Sequence, residues 1–234
     1  QVAFGMAVAS SQKQGKPDTE LYKEAIDCFD AYLVRTSSVS TKEVKAFRGL
    51  ALERKATALM ILKDENGALA AQSEAVLIDP DQASLRRMRG WNLMNGWRKL
   101  ALADFEAGLK NDQGALRADL LMGRSYVLAI DGKVDEALAA EAEYSKASGG
   151  MPAAMLNFAT VYAQAYDSLR KAGNSAKAEE TVKKMVALIE TQVARFPAPA
   201  RAKAWAAFRA DDGFEPVRGL PAFVELDKKL QKSP

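Results

Sequence analysis

Small residues recur at a nearly constant interval along this chain, and that recurrence limits the fold more than any other feature. Ala56, Gly90, Gly123 and Ala159 follow one another at intervals of 34, 33 and 36 residues. The apolar residues around them fall at helical spacing, and almost no stretch shows the alternation of a β-strand. A period of this length is typical of proteins that stack one helical unit on the next.

A second set of small residues marks a second helix in each repeat. Ala68, Ala101 and Ala137 lie 33 and 36 residues apart, and each has a partner seven residues further on: Ala75, Gly108 and Tyr144. Small side chains at such positions allow two helices to approach closely. The polar stretch 63–67 has the length that joins antiparallel helices. Each repeat is therefore predicted to be a helical hairpin.

Residues 50–80 resemble the tetratricopeptide repeat (TPR), in which a small residue in the first helix is followed by alanine, an aromatic residue and proline. Residues 88–105 and 121–138 carry similar patterns in phase with the first. The resemblance implies an all-α, right-handed α-solenoid of about five antiparallel helix-turn-helix units with a C-terminal capping helix segment.

The predicted array covers residues 1–197, and residues 198–234 are predicted to form the cap. The expected repeats are 1–36, 41–80, 81–113, 114–149 and 151–197, of which the first and the last are degenerate. The motif Phe-Glu-Pro-Val-Arg at 214–218, followed by Pro-Ala-Phe at 221–223, resembles the tail that closes many bacterial TPR arrays. Together with residues 157–164, it looks like repeat regions attached to bacterial serine/threonine kinases. The resemblance implies a tail that packs over the last hairpin.

Composition excludes several kinds of catalysis. The chain has no histidine and one cysteine, so it has neither a Ser-His-Asp or Cys-His centre nor a histidine-ligated zinc site of its own. No glycine-rich phosphate loop or calcium-binding ladder is present in the sequence. We therefore expect a protein that is not an enzyme and that uses no metal or cofactor.

The one cysteine, Cys28, is expected to pack inside the second helix of the first unit, because free cysteines are among the most buried residues. A lone cysteine fits a cytoplasmic location, and a periplasmic one is compatible with it if an N-terminal signal was removed. The sequence starts at Gln1, as expected of a processed protein or an excised segment. No run of apolar residues is long enough to be predicted as a membrane span.

Basic and aromatic residues are concentrated in residues 84–100, which carry five basic and no acidic side chains. The first helices of a TPR array line its concave groove. The resemblance therefore implies that Arg87, Trp91, Met94 and Asn95 face the groove, with Thr57 and Arg124 from neighbouring units. The same alignment adds further groove positions on the flanking helices: Glu53, Met60, Ile61, Arg117, Leu120, Val127, Leu156, Thr160 and Gln164. Arginine, asparagine and tryptophan together suit an extended peptide.

Several alternatives remain open at this point. The arginines are equally explained as a solvated helix face, and Trp97, at a turn, is expected to pack rather than bind. Nucleic-acid binding through the basic stripe 84–100 is disfavoured, because the net charge is only +3 and residues 101–145 carry a net charge of −5.

The leading hypothesis is a non-catalytic scaffold that binds a protein segment or peptide in its groove, with self-association as a further option. The alternative is a sensory or assembly region of a larger kinase-like protein, which the full gene would reveal by its kinase motifs. A chaperone-type carboxylate clamp is disfavoured, because Glu53 and Leu120 occupy positions where lysine or asparagine is required.

Overall fold

The computed structural model describes residues 2–94, 96–112 and 114–231. These ranges contain helices and turns but no strand, which confirms the all-α prediction. The helices in chain order are α1 (Val2–Gln14), α2 (Thr19–Arg35), α3 (Lys42–Ile61), α4 (Glu65–Ile78), α5 (Ala83–Leu93), α6 (Arg98–Asn111), α7 (Arg117–Ile130), α8 (Val134–Ala139), α9 (Glu141–Ala147), α10 (Pro152–Lys171), α11 (Ser175–Ala194), α12 (Arg201–Arg209) and α13 (Pro221–Gln231). Short 3₁₀ turns at Ala198–Ala200 and Asp212–Val217 flank α12.

The chain folds into two compact units that divide after Asp112. The N-terminal unit contains α1 to α6, and the C-terminal unit contains α7 to α13 with the two 3₁₀ turns. Among the described residues, no helix has both the length and the apolar character needed to cross a bilayer.

Three of the helical hairpins use the same hydrogen-bonded turn. After α3, α7 and α10, one residue adopts the left-handed conformation: Lys63 (φ 65), Gly132 (φ 80) and Gly173 (φ 76). In each turn the next amide bonds a carbonyl five residues back, as from Asp64 N to Leu59 O at 2.9 Å. This is the Schellman arrangement, which satisfies the free carbonyls at a helix end. The same turn therefore joins the two helices in each of these three hairpins.

Small residues allow the two helices of a hairpin to approach closely, as the sequence predicts. Gly90 on α5 lies against the ring of Phe105 on α6, and a Cβ at position 90 would be only 2.9 Å from Phe105 Cε1. Ala56, Ala68 and Ala101 are completely buried. The close packing of the helices therefore requires small side chains at these positions.

The N-terminal unit has an apolar core to which α2, α3, α4 and α5 all contribute. Phe29 of α2, Leu52 of α3, Val76 of α4 and Leu85 of α5 belong to one buried cluster. Side chains cap the helices that meet there: Asp18 accepts from Leu21 N, and Asp64 accepts from Gly67 N at 2.9 Å. These caps satisfy amides that have no partner within their own helix.

The C-terminal tail packs on the last hairpin of the C-terminal unit. Trp205, Phe214 and Phe223 form an aromatic cluster with ring centroids 5.5 to 6.3 Å apart. Asp227 on α13 accepts a hydrogen bond from Trp205 Nε1 at 2.8 Å and two from Arg209 Nη1 at 3.0 and 2.8 Å. α13 contacts α11, and the Asp212–Val217 turn contacts α10.

Two expectations about individual residues are wrong. Cys28 is exposed, because the buried stripe of α2 runs through Ala25, Phe29 and Leu33, and Cys28 lies beside that stripe. Trp97 is 63% exposed, because it occupies the turn before α6, where its backbone N–H bonds Leu93 O at 2.7 Å and its ring is left largely uncovered.

Candidate peptide-binding surface

A buried ion-pair cluster fixes the orientation of α5 on α6. Asp104 of α6 is 1% exposed and accepts hydrogen bonds from Arg89 at 2.7 and 2.8 Å and from Arg86 Nη1 at 2.7 Å. Arg86 Nε also donates to Pro80 O at 2.9 Å. A charge this deeply buried requires paired, hydrogen-bonded partners. Two of the five cations in the predicted basic stripe are therefore held inside the N-terminal unit.

Arg87 and Trp91 lie four residues apart on α5, so they share one helical face that differs from the face of Arg86 and Arg89. Both are partly exposed. The Trp91 ring meets the Phe105 ring edge to face, with centroids 5.4 Å apart and an interplanar angle of 73°. The indole is thus held on one side by packing, which limits the number of conformations it can adopt.

A matching stripe runs along α3. Glu53, Thr57 and Met60 follow helical spacing, with Glu53 partly exposed and the other two exposed. α3 and α5 are close neighbours, since a Cβ at Gly49 would be 3.4 Å from Leu85 Cδ1. We call the face formed by Glu53, Thr57, Met60, Arg87 and Trp91 the α3–α5 surface.

Glu53 and Arg87 interact across this surface. Burial raises the pKa of the Glu53 carboxyl above its ordinary value, and the positive charges of Arg87 and Arg54 oppose part of that increase. The surface therefore combines a partly desolvated carboxylate, a guanidinium and an indole. A carboxylate can accept backbone N–H groups and a guanidinium can donate to backbone carbonyls, so the set can bind an extended chain.

The other predicted site residues, Met94, Asn95 and Arg124, are not part of the α3–α5 surface. Met94 is 6% exposed and offers little area to a partner. Asn95 lies outside the described residues. Arg124 belongs to the C-terminal unit, where one of its terminal nitrogens is 4.0 Å from Glu136 Oε2. Thr57, Arg87 and Trp91 belong to the N-terminal unit, and Thr57 lies one turn along α3 from Glu53, which interacts with Arg87.

The expected extension of the groove along α10 is wrong. Leu156 is completely buried, and the chain's own 3₁₀ turn covers the other two residues. Thr160 lies under Gly213, where an added Cβ would be 2.7 Å from Thr160 Cβ, and Gln164 Nε2 donates to Gly213 O at 2.8 Å. Residues that the repeat pattern assigns to a groove are used instead to hold the tail.

The structural role of Asp104 was missed at the sequence level, although a signal was present. Asp104 falls on the stripe that also contains Ala101, Phe105 and Gly108, all of which are buried. A charged residue on an otherwise apolar stripe indicates a buried partner of opposite sign. The arginines of α5, the helix that precedes α6 in the chain, were candidates for that partner.

Metal-binding side chains are dispersed rather than clustered. Within the part of the chain that the structure describes, no three cysteine, aspartate or glutamate side chains come together in a group able to hold an ion.

No protein-family model and no curated protein sequence matches the chain. Several solved structures are similar to it. Two crystal structures of MamA share 16% and 15% sequence identity, with TM-scores of 0.55 and 0.58, over 80% and 83% of this chain and 96% and 94% of theirs. YrrB, described as a TPR protein with an unusual peptide-binding site, shares 18% identity over 88% of this chain and 90% of its own, with a TM-score of 0.54.

PilW, described as a widely conserved type IV pilus biogenesis factor, shares 17% identity over 98% of this chain and 91% of its own, with a TM-score of 0.57. The fold is that of the TPR proteins. The antiparallel hairpins and the small residues at their crossings agree with that fold. At these identities the similarity concerns the TPR fold alone.

Proposed function

We propose that the chain is a non-catalytic interaction module that binds a segment of a partner protein on the α3–α5 surface. The observation that carries this proposal is the electrostatic interaction of Glu53 with Arg87, which shares a helical face with the partly exposed Trp91. Hydrogen bonds to partly buried charged groups and contact with a fixed aromatic ring are the usual sources of affinity in such surfaces.

The shape of the ligand follows from the arrangement of the donors and acceptors. Glu53 lies on α3 and Arg87 on α5, so a chain that bonds to both crosses from one helix to the next. An extended segment presents N–H and C=O groups along both of its edges and can satisfy both side chains. Exposed Met60 adds an apolar contact for a side chain of the segment. YrrB, with its peptide-binding site, supports a peptide as the class of ligand.

Arg124 on α7 is a second proposed contact residue, in the C-terminal unit. It forms a long ion pair, at 4.0 Å, with the exposed Glu136, and exposed ion pairs contribute little to stability. This contact lies outside the α3–α5 surface.

The experiment is a selection of random peptides displayed on phage against the immobilised full chain. Bound phage are counter-selected on a chain that carries Arg87→Ala and Trp91→Ala. The expected result is a set of peptides that bind the wild-type chain and the Trp97→Ala control but fail on the double variant. Circular dichroism verifies that each variant is folded.

Because Trp91 packs on Phe105, a Glu53→Gln chain serves as a further probe that leaves this packing intact. Peptides that bind the double variant and Glu53→Gln as well as the wild-type chain would refute the assignment.

A further inference from the structure

A separate cavity of about 270 Å³ lies between α2 and α3 in the N-terminal unit. Its walls come mainly from apolar and aromatic side chains, with one thiol and one guanidinium: Cys28, Phe29, Tyr32, Phe47, Leu50, Ala51 and Arg54. We call it the α2–α3 pocket. None of its lining residues belongs to the α3–α5 surface.

Phe47 marks the pocket as an unusual piece of surface. Its side chain is 56% exposed, whereas Phe29 and Ala51 on the inner wall are buried. A ligand that binds beside an exposed ring and a concave apolar wall buries more apolar surface than it would on a flat surface. The pocket is near the lower end of the size range of small-molecule sites and fits a ligand of about ten non-hydrogen atoms.

Arg54 gives the pocket a positive charge. Its guanidinium carbon is 5.8 Å from the centroid of the Phe4 ring, and no carboxylate among the described residues forms an ion pair with it. The neighbouring cations on α3 are already paired: Lys55 with Asp30 at 2.5 Å, and Arg48 with Glu74 at 3.9 Å. The charge of Arg54 offsets part of the increase in the pKa of the nearby Glu53 carboxyl, and the charge of Arg87 offsets more of it. Arg54 therefore retains donors for an incoming anion.

We propose that the α2–α3 pocket binds a small apolar carboxylate, with its hydrocarbon part between the rings of Phe29, Tyr32 and Phe47 and its carboxylate on Arg54. Apolar burial supplies most of the affinity, and the charge-assisted hydrogen bond selects the anion over a neutral molecule of the same length. For a ligand of this size the expected Kd is about 0.1–1 mM.

Cys28 is a built-in reporter for this pocket. It is the only cysteine of the sequence, it is exposed, and it lines the cavity, so its alkylation reports occupancy without any added label. The experiment measures the rate of Cys28 alkylation by iodoacetamide on the full chain, followed by mass spectrometry. Octanoate is the probe, and 1-octanol at equal concentration is its neutral match.

The expected result is saturable protection of Cys28 by octanoate, about tenfold weaker with octanol. Arg54→Gln abolishes this preference, and Phe47→Ala weakens protection by both probes. Two matched controls, Arg48→Gln on the same helix and Val39→Ala at an exposed apolar site outside the pocket, leave protection unchanged.

Three results would overturn the proposal. Equal protection by octanoate and octanol would show that the pocket does not prefer an anion. Protection by neither probe would show that the pocket does not bind a ligand of this kind. Protection that appears without any probe as protein concentration rises would assign the face to a second copy of the chain. Each of these outcomes is independent of peptide binding on the α3–α5 surface.

Discussion

Arg89 donates two hydrogen bonds to the buried carboxylate of Asp104, from Nε to Oδ2 at 2.7 Å and from Nη2 to Oδ1 at 2.8 Å. Arg86 adds a third, and the cluster connects α5 to α6. Because α5 carries Arg87 and Trp91, this cluster also sets the direction in which the proposed binding residues point.

Asp104→Asn is expected to lower the free energy of unfolding by about 3 kcal/mol, because two partly buried guanidinium groups lose their counter-charge. Urea denaturation followed by circular dichroism measures the change. The control is Asp135→Asn, whose ion pair with Lys177 at 2.7 Å is exposed, and whose expected cost is below about 0.5 kcal/mol. Similar losses in the two variants would contradict the structural role of Asp104.

The hairpin crossing at Gly90 gives a second prediction. Gly90→Ala would place a methyl group 2.9 to 3.1 Å from three carbons of the Phe105 ring, and we expect a loss of about 1–3 kcal/mol. Gly5→Ala is the matched control in a helix, since no atom lies within 4 Å of a Cβ there, and it should gain about 0.5–1 kcal/mol. Thermal unfolding of both variants tests the prediction, and an unchanged stability of Gly90→Ala would show that Phe105 can move away from the added methyl group.

Lys63 occupies a turn position that glycine occupies in the other two matching hairpins. Its φ of 65 is unfavourable for a residue with a Cβ, so Lys63→Gly is expected to raise stability by about 0.5–1 kcal/mol. Gly173→Ala, at the equivalent position with φ 76, should lower stability by about 1 kcal/mol. Chemical denaturation of the pair checks the prediction, and a destabilised Lys63→Gly together with a stabilised Gly173→Ala would refute it.

The tail gives a prediction that depends on pH. Burial alone would raise the pKa of the Asp227 carboxyl, but hydrogen bonds from Gln231, Trp205 and Arg209, with the charge of Arg209, outweigh it and hold the pKa below its ordinary value. A lowered folded-state pKa means that the ionised carboxylate stabilises the fold above the unfolded pKa of about 3.9, and that this contribution is lost as the pH falls through the folded pKa.

Asp227→Asn is therefore expected to cost about 1–2 kcal/mol at pH 7, with the gap to the wild-type chain closing below about pH 4. Thermal unfolding midpoints of both chains between about pH 7 and about pH 2.5 test this. A gap that stays constant over that range would show that the charge of Asp227 does not contribute.

The helical hairpins could be predicted from the sequence because they repeat. Ala56 and Gly90 keep their interval, and the packing that requires small residues is the same in each repeat. The packing of the tail could also be predicted, from its Phe-Glu-Pro and Pro-Ala-Phe motifs, whose Phe214 and Phe223 belong to one aromatic cluster. Local patterns of this kind can be recognised in a single sequence.

Contacts that depend on how the helices pack could not be predicted in the same way. Cys28 and Phe29 are neighbours in sequence, yet only one of them faces the core, and the difference depends on the angle at which α2 packs. Thr160 and Gln164 match groove positions by register, but the return of the tail over α10 covers them. The pairing of Arg86 and Arg89 with Asp104 likewise depends on how two helices meet.

Binding on the α3–α5 surface is tested most directly by one measurement: the Kd of a selected peptide, determined by fluorescence anisotropy, for the wild-type chain and for the variant with Arg87→Ala and Trp91→Ala. The predicted result is a Kd at least about tenfold higher for the variant, with no change for Trp97→Ala. An unchanged Kd in a variant that is folded by circular dichroism would contradict the proposed binding surface.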